Sequence, residues 1–511
     1  MIAKTTNPPI PASGSLRRVL CLASLAVTSV SAQKVEIFQT TRKGDRLAAV
    51  APSTAAGASD YSLTLDPSVS HQTLIGIGGA MTESSAQALS ELSKKQSEAV
   101  LRAYFSKEGS RFSLTRTHIG SCDFSVTNYS YDPVPGDVKL EQFSIEPDRK
   151  YLLPMIKQAQ AVPGADFKIL ASPWTAPPWM KTSGKWNGGS LKPEHYQTFS
   201  DYIARYIADY KKEGVPIWGI TPENEPLGNG GQWESMEFTA AQMRDFIGQN
   251  LGPTLATAAP GTTIWAYDQN RDKNLVEWAD TILADKKAAS YVTGLAVHWY
   301  QSTRDIGPEI VASVSKAHPE KPMLHTEGCI DAMGDDEPIG SRLEDDWYWR
   351  QDSTDWGYVW APAEDRKDHP KYRPFYRYAG DLIGGFNAGF VGWIDWNMVL
   401  DTRGGPNHAR NFCGAPVLVD AGHDRVFYTP LFYAISHFSK FIRPGAQRIG
   451  LTGANADLVA TAFRNPDGSV VAVAFNLLES DKTYTIRFGG LPETRISIPG
   501  QALQTVVIPA K

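Results

Sequence analysis

Cysteine is scarce in this chain of 511 residues: Cys21, Cys122, Cys329 and Cys413 are the whole set. That excludes a disulfide framework and leaves free thiols, or one bridge at most. A basic excess is also missing, with 50 Lys and Arg against 55 Asp and Glu. Neither nucleic acid nor an anionic membrane fits as the main partner. No apolar run reaches the ~20 residues that span a bilayer. The nearest is Val19 to Val30, which follows Arg17 and Arg18 and ends in small residues at Ala32. This reads as an export signal over 1–32, with a mature start near Gln33. The expectation is an exported protein, periplasmic or extracellular, with no integral membrane segment after cleavage. Losing Lys4, Arg17 and Arg18 would take the formal net charge from −5 to −8. Several catalytic signatures are absent as well. There is no G-x-S-x-G, so a serine hydrolase lacks its elbow. The ten histidines are scattered without an H-E-x-x-H, so neither a metal nor a cofactor is expected. "GIGGAM" at 76–81 lacks full dinucleotide-loop spacing and reads as a tight turn ending a strand.

Aromatic residues, by contrast, are plentiful, with 14 Trp and 20 Tyr. Most serve as core, but some suit the flat faces of sugar rings. Both ends of the chain are β-like. "KVEIFQTT" and "YSLTLD" alternate near the start, and a hairpin forms around Asn465-Pro466-Asp467-Gly468-Ser469 near the end. Between them, short apolar runs occur at 74–79, 113–119, 168–172, 215–220, 263–267, 291–297, 322–325 and 389–395. Amphipathic helices separate most of them. The clearest carries Phe199, Tyr202, Ile203, Tyr206 and Ile207 at helical spacing. Eight strands alternating with helices predict a (β/α)₈ TIM barrel over 71–440. Residues 33–70 and 441–511 are expected to pair into an appended β-sandwich built from both chain ends.

In such a barrel, function sits at the C-terminal ends of the strands. Glu225, in "TPENEP", ends the fourth run, and Glu327, in "HTEGC", ends the seventh, 102 residues on. Strands 4 and 7 would set these carboxylates face to face. Glycoside hydrolysis needs such a pair, about 5–5.5 Å apart for retention and about 6.5–9.5 Å for inversion. Other strand ends offer supporting groups. Arg116 either keeps the nucleophile charged or forms a structural ion pair, and Asp123 follows it. Trp174 and Trp179 are stacking candidates, Tyr300 a hydrogen-bond donor to the nucleophile, and His298 a member of the same cluster. Trp393 and Trp396 are expected to face the same way. Packing is the competing reading for each aromatic taken singly. An extended strand would put Glu223 on the face of Glu225, where it reads as a supporting acid.

Taken together, "GIGGAMTESSA", "SCDFS", "LASPWTAPPWMKT", "GSLKPEHY", "TPENEP", "AVHWY", "HTEGC", "GWIDWNMVLD" and "GGPNHARNF" resemble one family in its own order. It is glycoside hydrolase family thirty, which contains the lysosomal glucosylceramidases and bacterial and fungal β-1,6-glucanases. The resemblance implies that Glu225 is the acid/base and Glu327 the nucleophile. It also implies that Asn224 contacts the sugar 2-hydroxyl, and that Asp123, Trp174 and Trp396 line a glucose-like subsite. His298 and Tyr300 would stand behind them. Retention, no metal and a β-glucoside substrate, a glucosyl lipid or a glucan, follow from the same likeness. Residues 343–377 depart from the animal glucosylceramidases and bear on the choice of aglycone, unless they pack as a surface loop. Glucosylceramidase-like action and endo-β-1,6-glucanase action stay open, with a non-catalytic carbohydrate-binding barrel as the rival from another class.

Overall fold

The computed structural model describes residues 35–53, 57–302, 307–330 and 373–510. The leader-like stretch 1–32 lies outside them, as does all of 343–377 except the start of the helix Arg373–Ala388. Three strands come first: β1 (Glu36–Thr40), β2 (Ala48–Val50) and β3 (Tyr61–Thr73). Eight parallel strands then close a barrel: β4 (Gly76–Ala80), β5 (Leu114–Ile119), β6 (Lys168–Pro173), β7 (Gly219–Ile220), β8 (Thr263–Asn270), β9 (Val292–His298), β10 (Met323–Glu327) and β11 (Phe390–Asn397). Each coincides with one of the eight apolar runs. The TIM barrel is therefore the fold that the alternation of strands and helices predicts.

Strand β7 is the shortest because Pro216 has no N–H to donate to a ladder and the chain turns away after Thr221. The "GIGGAM" segment is barrel strand rather than a tight turn. A Cβ on Gly78 would lie 1.9 Å from the Leu114 carbonyl oxygen, so glycine is what lets β4 and β5 meet. Leu114, Leu170, Trp265, Ala296, Leu324 and Ile394 fill the barrel interior. Amphipathic helices wrap it; Tyr196–Lys212 buries Phe199, Tyr202, Ile203, Tyr206 and Ile207 as its spacing requires.

Beyond the barrel, β12 (Val399–Asp401), β13 (Val417–Asp420) and β14 (Arg425–Tyr428) make a small sheet that sequence patterning did not reveal. The last strands are β15 (Gln447–Thr452), β16 (Leu458–Arg464), β17 (Val470–Asn476), β18 (Lys482–Phe488), β19 (Thr494–Ile498) and β20 (Leu503–Ile508). They pair with β1, β2 and β3 in one nine-stranded sheet, so both chain ends build the sandwich. The sheet folds on itself: Tyr484 of β18 donates to the Gln504 side chain of β20 at 2.9 Å, although the two strands are not neighbours. Period-two alternation splits β17 between two cores. Val470, Ala472 and Ala474 enter the sandwich core, while Val471, Val473 and Phe475 join the barrel's.

Candidate active site

After Ile220 the chain does not continue as a strand. Thr221 Oγ1 bonds Ser172 and Asp268, each at 2.7 Å. The Asn224 N–H donates to the Pro173 carbonyl at 2.7 Å, and the Glu225 N–H to the Asp268 carbonyl at 3.0 Å. These anchors hold Glu225 at φ 51°, a left-handed conformation uncommon for a side chain of this size. The turn separates the two acids. Glu225 lines the cavity, whereas Glu223 is fully buried away from it. Burial, against the pull of Lys181, pushes the Glu223 carboxyl well above the usual carboxylate range. The shared face expected from an extended strand is thus corrected by the turn.

Glu327 is the last residue of β10 and is 5% exposed. Arg116 of β5, completely buried, donates to Glu327 Oε2 through Nη1. Its Nη2 donates to Asn224 Oδ1 at 2.7 Å and Asp268 Oδ2 at 2.8 Å, and its Nε to Ser172 Oγ at 3.1 Å. Tyr300 donates its hydroxyl to Glu327 Oε1 at 3.0 Å. His298 lies between acids, with Nδ1 3.2 Å from Glu225 Oε1 and Nε2 3.0 Å from Asp268 Oδ1. One oxygen each of Glu225 and Glu327 and a nitrogen of His298 lie within 4.8 Å of one another.

Burial pushes the Glu327 carboxyl up, with Glu225 adding to the shift and His298 and Arg116 opposing it. Burial also works against charge on His298, but Glu327 and Asp268 prevail and raise it to about 9. Asp268 resists burial and stays well below the usual range because Arg116 and His298 face it. The trio of Glu225, His298 and Glu327 has the spacing of a metal site, but the facing carboxylates favour a proton on His298, which would have to leave before the ring could bind a metal.

These groups face a cavity of about 520 Å³ at the strand ends. Asp123, Asn224, Trp174 and Trp396 line it beside the two glutamates, with Tyr300 at its wall. Trp174 and Trp396 stack with centroids 5.1 Å apart, and Arg116 lies 4.8 Å from the Trp174 ring. Asp123 accepts from Asn411 Nδ2 at 2.8 Å through Oδ2. Its Oδ1 is buried with no hydrogen-bond partner among the described residues. The structure therefore brings together Arg116, Asp123, Trp174, Asn224, Glu225, His298, Tyr300, Glu327 and Trp396.

Two of the singled-out tryptophans fall elsewhere. Trp179 packs edge-on against His195 and donates to the Asp132 carbonyl at 3.0 Å. Trp393 does not face the way Trp396 does: three positions separate them, an odd number, which in a strand means opposite faces. It stacks on His325 and donates to Asp381 at 2.9 Å. Asp268 and Asn411 were missed. An acid closing the apolar "TIWAYD" run was the available signal for Asp268; for Asn411, on the loop between β12 and β13, it was its place in "GGPNHARNF". Cys122, Cys329 and Cys413 are buried, the last two at the cavity wall.

Comparison with known proteins is consistent along the chain. The glycosyl hydrolase family 30 TIM-barrel domain matches residues 74–341 and 362–442, and the family 30 beta sandwich domain matches 445–506. Lysosomal acid glucosylceramidase of Mus musculus is 33% identical over 98% of this chain and 95% of its own. Endo-1,6-beta-D-glucanase of Neurospora crassa is 29% identical over 84% of each. The solved structure of the endo-beta1,6-glucanase BT3312 superposes with a TM-score of 0.79 at 28% identity, covering 93% of this chain and 99% of that one.

Proposed function

The chain belongs to glycosyl hydrolase family 30, and on that premise we propose that it is a retaining, glucosylceramidase-like enzyme that cleaves β-glucosidic bonds by double displacement. The observation that carries this reading is the carboxylate pair: oxygens of Glu225 and Glu327 within 4.8 Å, in unlike surroundings. That spacing suits direct attack by one carboxylate and leaves little room for a water between them.

Glu327 is the nucleophile, because Arg116 and the Tyr300 hydroxyl stabilise its charge. Its Oε attacks the anomeric carbon as the bond to the leaving oxygen breaks. Glu225, with its side chain 17% exposed at the mouth, protonates that oxygen. In the second half, Glu225 takes a proton from water, which attacks the anomeric carbon and frees Glu327. Asn224 accepts from Arg116 through its amide oxygen, which leaves its NH₂ to donate to the sugar 2-hydroxyl. Asp123 offers its unpartnered Oδ1 to another hydroxyl, and the stacked Trp174 and Trp396 supply an apolar wall for the sugar ring. The leader-like stretch before Gln33 supports export.

An endo-β-1,6-glucanase is the second reading, favoured by the likeness to the N. crassa enzyme and to BT3312. A product profile on glucosylceramide, β-1,6-glucan and small aryl β-glucosides separates the two. Release of glucose from the lipid and the aryl glucosides, without internal cleavage of the glucan, is the expected result. Oligosaccharides from the glucan would select the second reading. Glu225→Gln and Glu327→Gln are each expected to lower kcat by about 10²–10⁴ while sugar binding survives. Unchanged turnover in Glu327→Gln would remove it as nucleophile.

A further inference from the structure

Glu234 and His408 take no part in the proposed reaction, yet they join the three loops that carry the cavity wall. Glu234 lies in the loop after β7, next to the cavity residues Gln232 and Trp233, and is 1% exposed. Its Oε1 accepts from Ser121 Oγ at 2.6 Å and Asn128 Nδ2 at 2.7 Å, both in the loop after β5 that carries Asp123. Its Oε2 lies 3.2 Å from His408 Nε2, in the loop after β12, three residues before Asn411.

The His408 ring has two ways to bond. Its Nδ1 lies 2.9 Å from the Ser125 carbonyl, which can only accept, so the Nδ1 proton is kept in either state. Nε2 is then the position that titrates. Protonated, it carries the positive charge that faces Glu234. Neutral, its lone pair accepts from Asn128 Nδ2, 3.1 Å away. The charged groups acting on the ring are acids from three elements: Glu234, Asp123 and, at the start of the helix Glu83–Ser90, Glu83. Burial opposes the charge, but Glu234 outweighs it and holds the ring above its ordinary value; Glu234 is in turn held down by His408 despite its own burial.

We infer that His408 and Glu234 form a proton-dependent latch that sets Asn411 against Asp123 and so fixes the affinity of the cavity for its sugar. His408 and Glu234 are positioning residues, and the inference rests on the glycosidase reading. With an aryl β-glucoside as substrate and D-glucose as competitive inhibitor, the wild type should bind glucose more weakly as pH rises from about 6 to about 8. His408→Gln and Glu234→Gln should each raise KM and the glucose inhibition constant about tenfold at the lower pH, leave kcat within about threefold and flatten the pH dependence of inhibition. The double variant should be no worse than either single one, since both remove the same interaction. Ring NMR of His408, assigned by its loss in His408→Gln, should show a raised titration point that falls back in Glu234→Gln. A glucose affinity flat in pH, additive losses or an unmoved titration point overturns the latch. A wild type that turns over neither an aryl β-glucoside nor β-1,6-glucan overturns the glycosidase reading, and the latch with it; if only the glucan is cleaved, the same inhibition series is read on the glucan.

Discussion

Arg116 is where the charges of the site converge: one guanidinium donates to Glu327, Asn224, Asp268 and Ser172. That fan of bonds needs a planar fork, which lysine lacks. Arg116→Lys is expected to cut kcat/KM by about 100-fold or more, with circular dichroism unchanged. His298 provides a second, pH-dependent test. Its folded value is raised from 6.5 to about 9, so the stability it contributes is full below 6.5 and is lost as pH rises through 9. Wild-type Tm should therefore decline across that window, and His298→Gln should show a flatter profile from a lower starting point. Glu225, Glu327, His298 and Tyr300 were legible because each stands at or just past the end of a readable strand run, and Arg116 because it is a charge inside one. Asp268 was not, because its role comes from Arg116, His298, Thr221 and Thr326 on four other strands or their ends. Only closure of the barrel creates that convergence.

At the scale of elements, alternation of apolar runs with amphipathic helices was enough to identify all eight barrel strands. Local propensity misled where packing overrides it. Glycine disfavours strands, so "GIGGAM" read as a turn, whereas β4 uses glycine to approach β5. Gly78→Ala should then destabilise the protein by about 2–3 kcal/mol, seen as a lower urea midpoint with an unchanged slope. A midpoint equal to wild type would mean the strands have slack there. The turn at Glu225 shows the converse limit. A left-handed glutamate just before Pro226 carries no periodic signature, so the divergence of Glu223 from Glu225 emerges only from the bonds that pin the loop.

For the whole molecule, the barrel and the sandwich share a core rather than a hinge. Phe463, Val471, Val473, Phe475 and Leu503 pack into the same cluster as the barrel residues Ile77 and Phe390. Calorimetry should give one unfolding transition with calorimetric and van't Hoff enthalpies about equal, and a chain ending near Ala446 should not fold. Two separated transitions would show that the sandwich is an independent appendage. The joining of the chain ends was readable from their β patterning, while the small sheet β12–β14 and the loop it carries to the cavity were not. The central claim, that Glu327 forms a covalent glycosyl intermediate opposite Glu225, is tested most directly by proton NMR of the first sugar released from an aryl β-glucoside. The β-anomer should appear first and mutarotate later; initial release of the α-anomer would contradict the account.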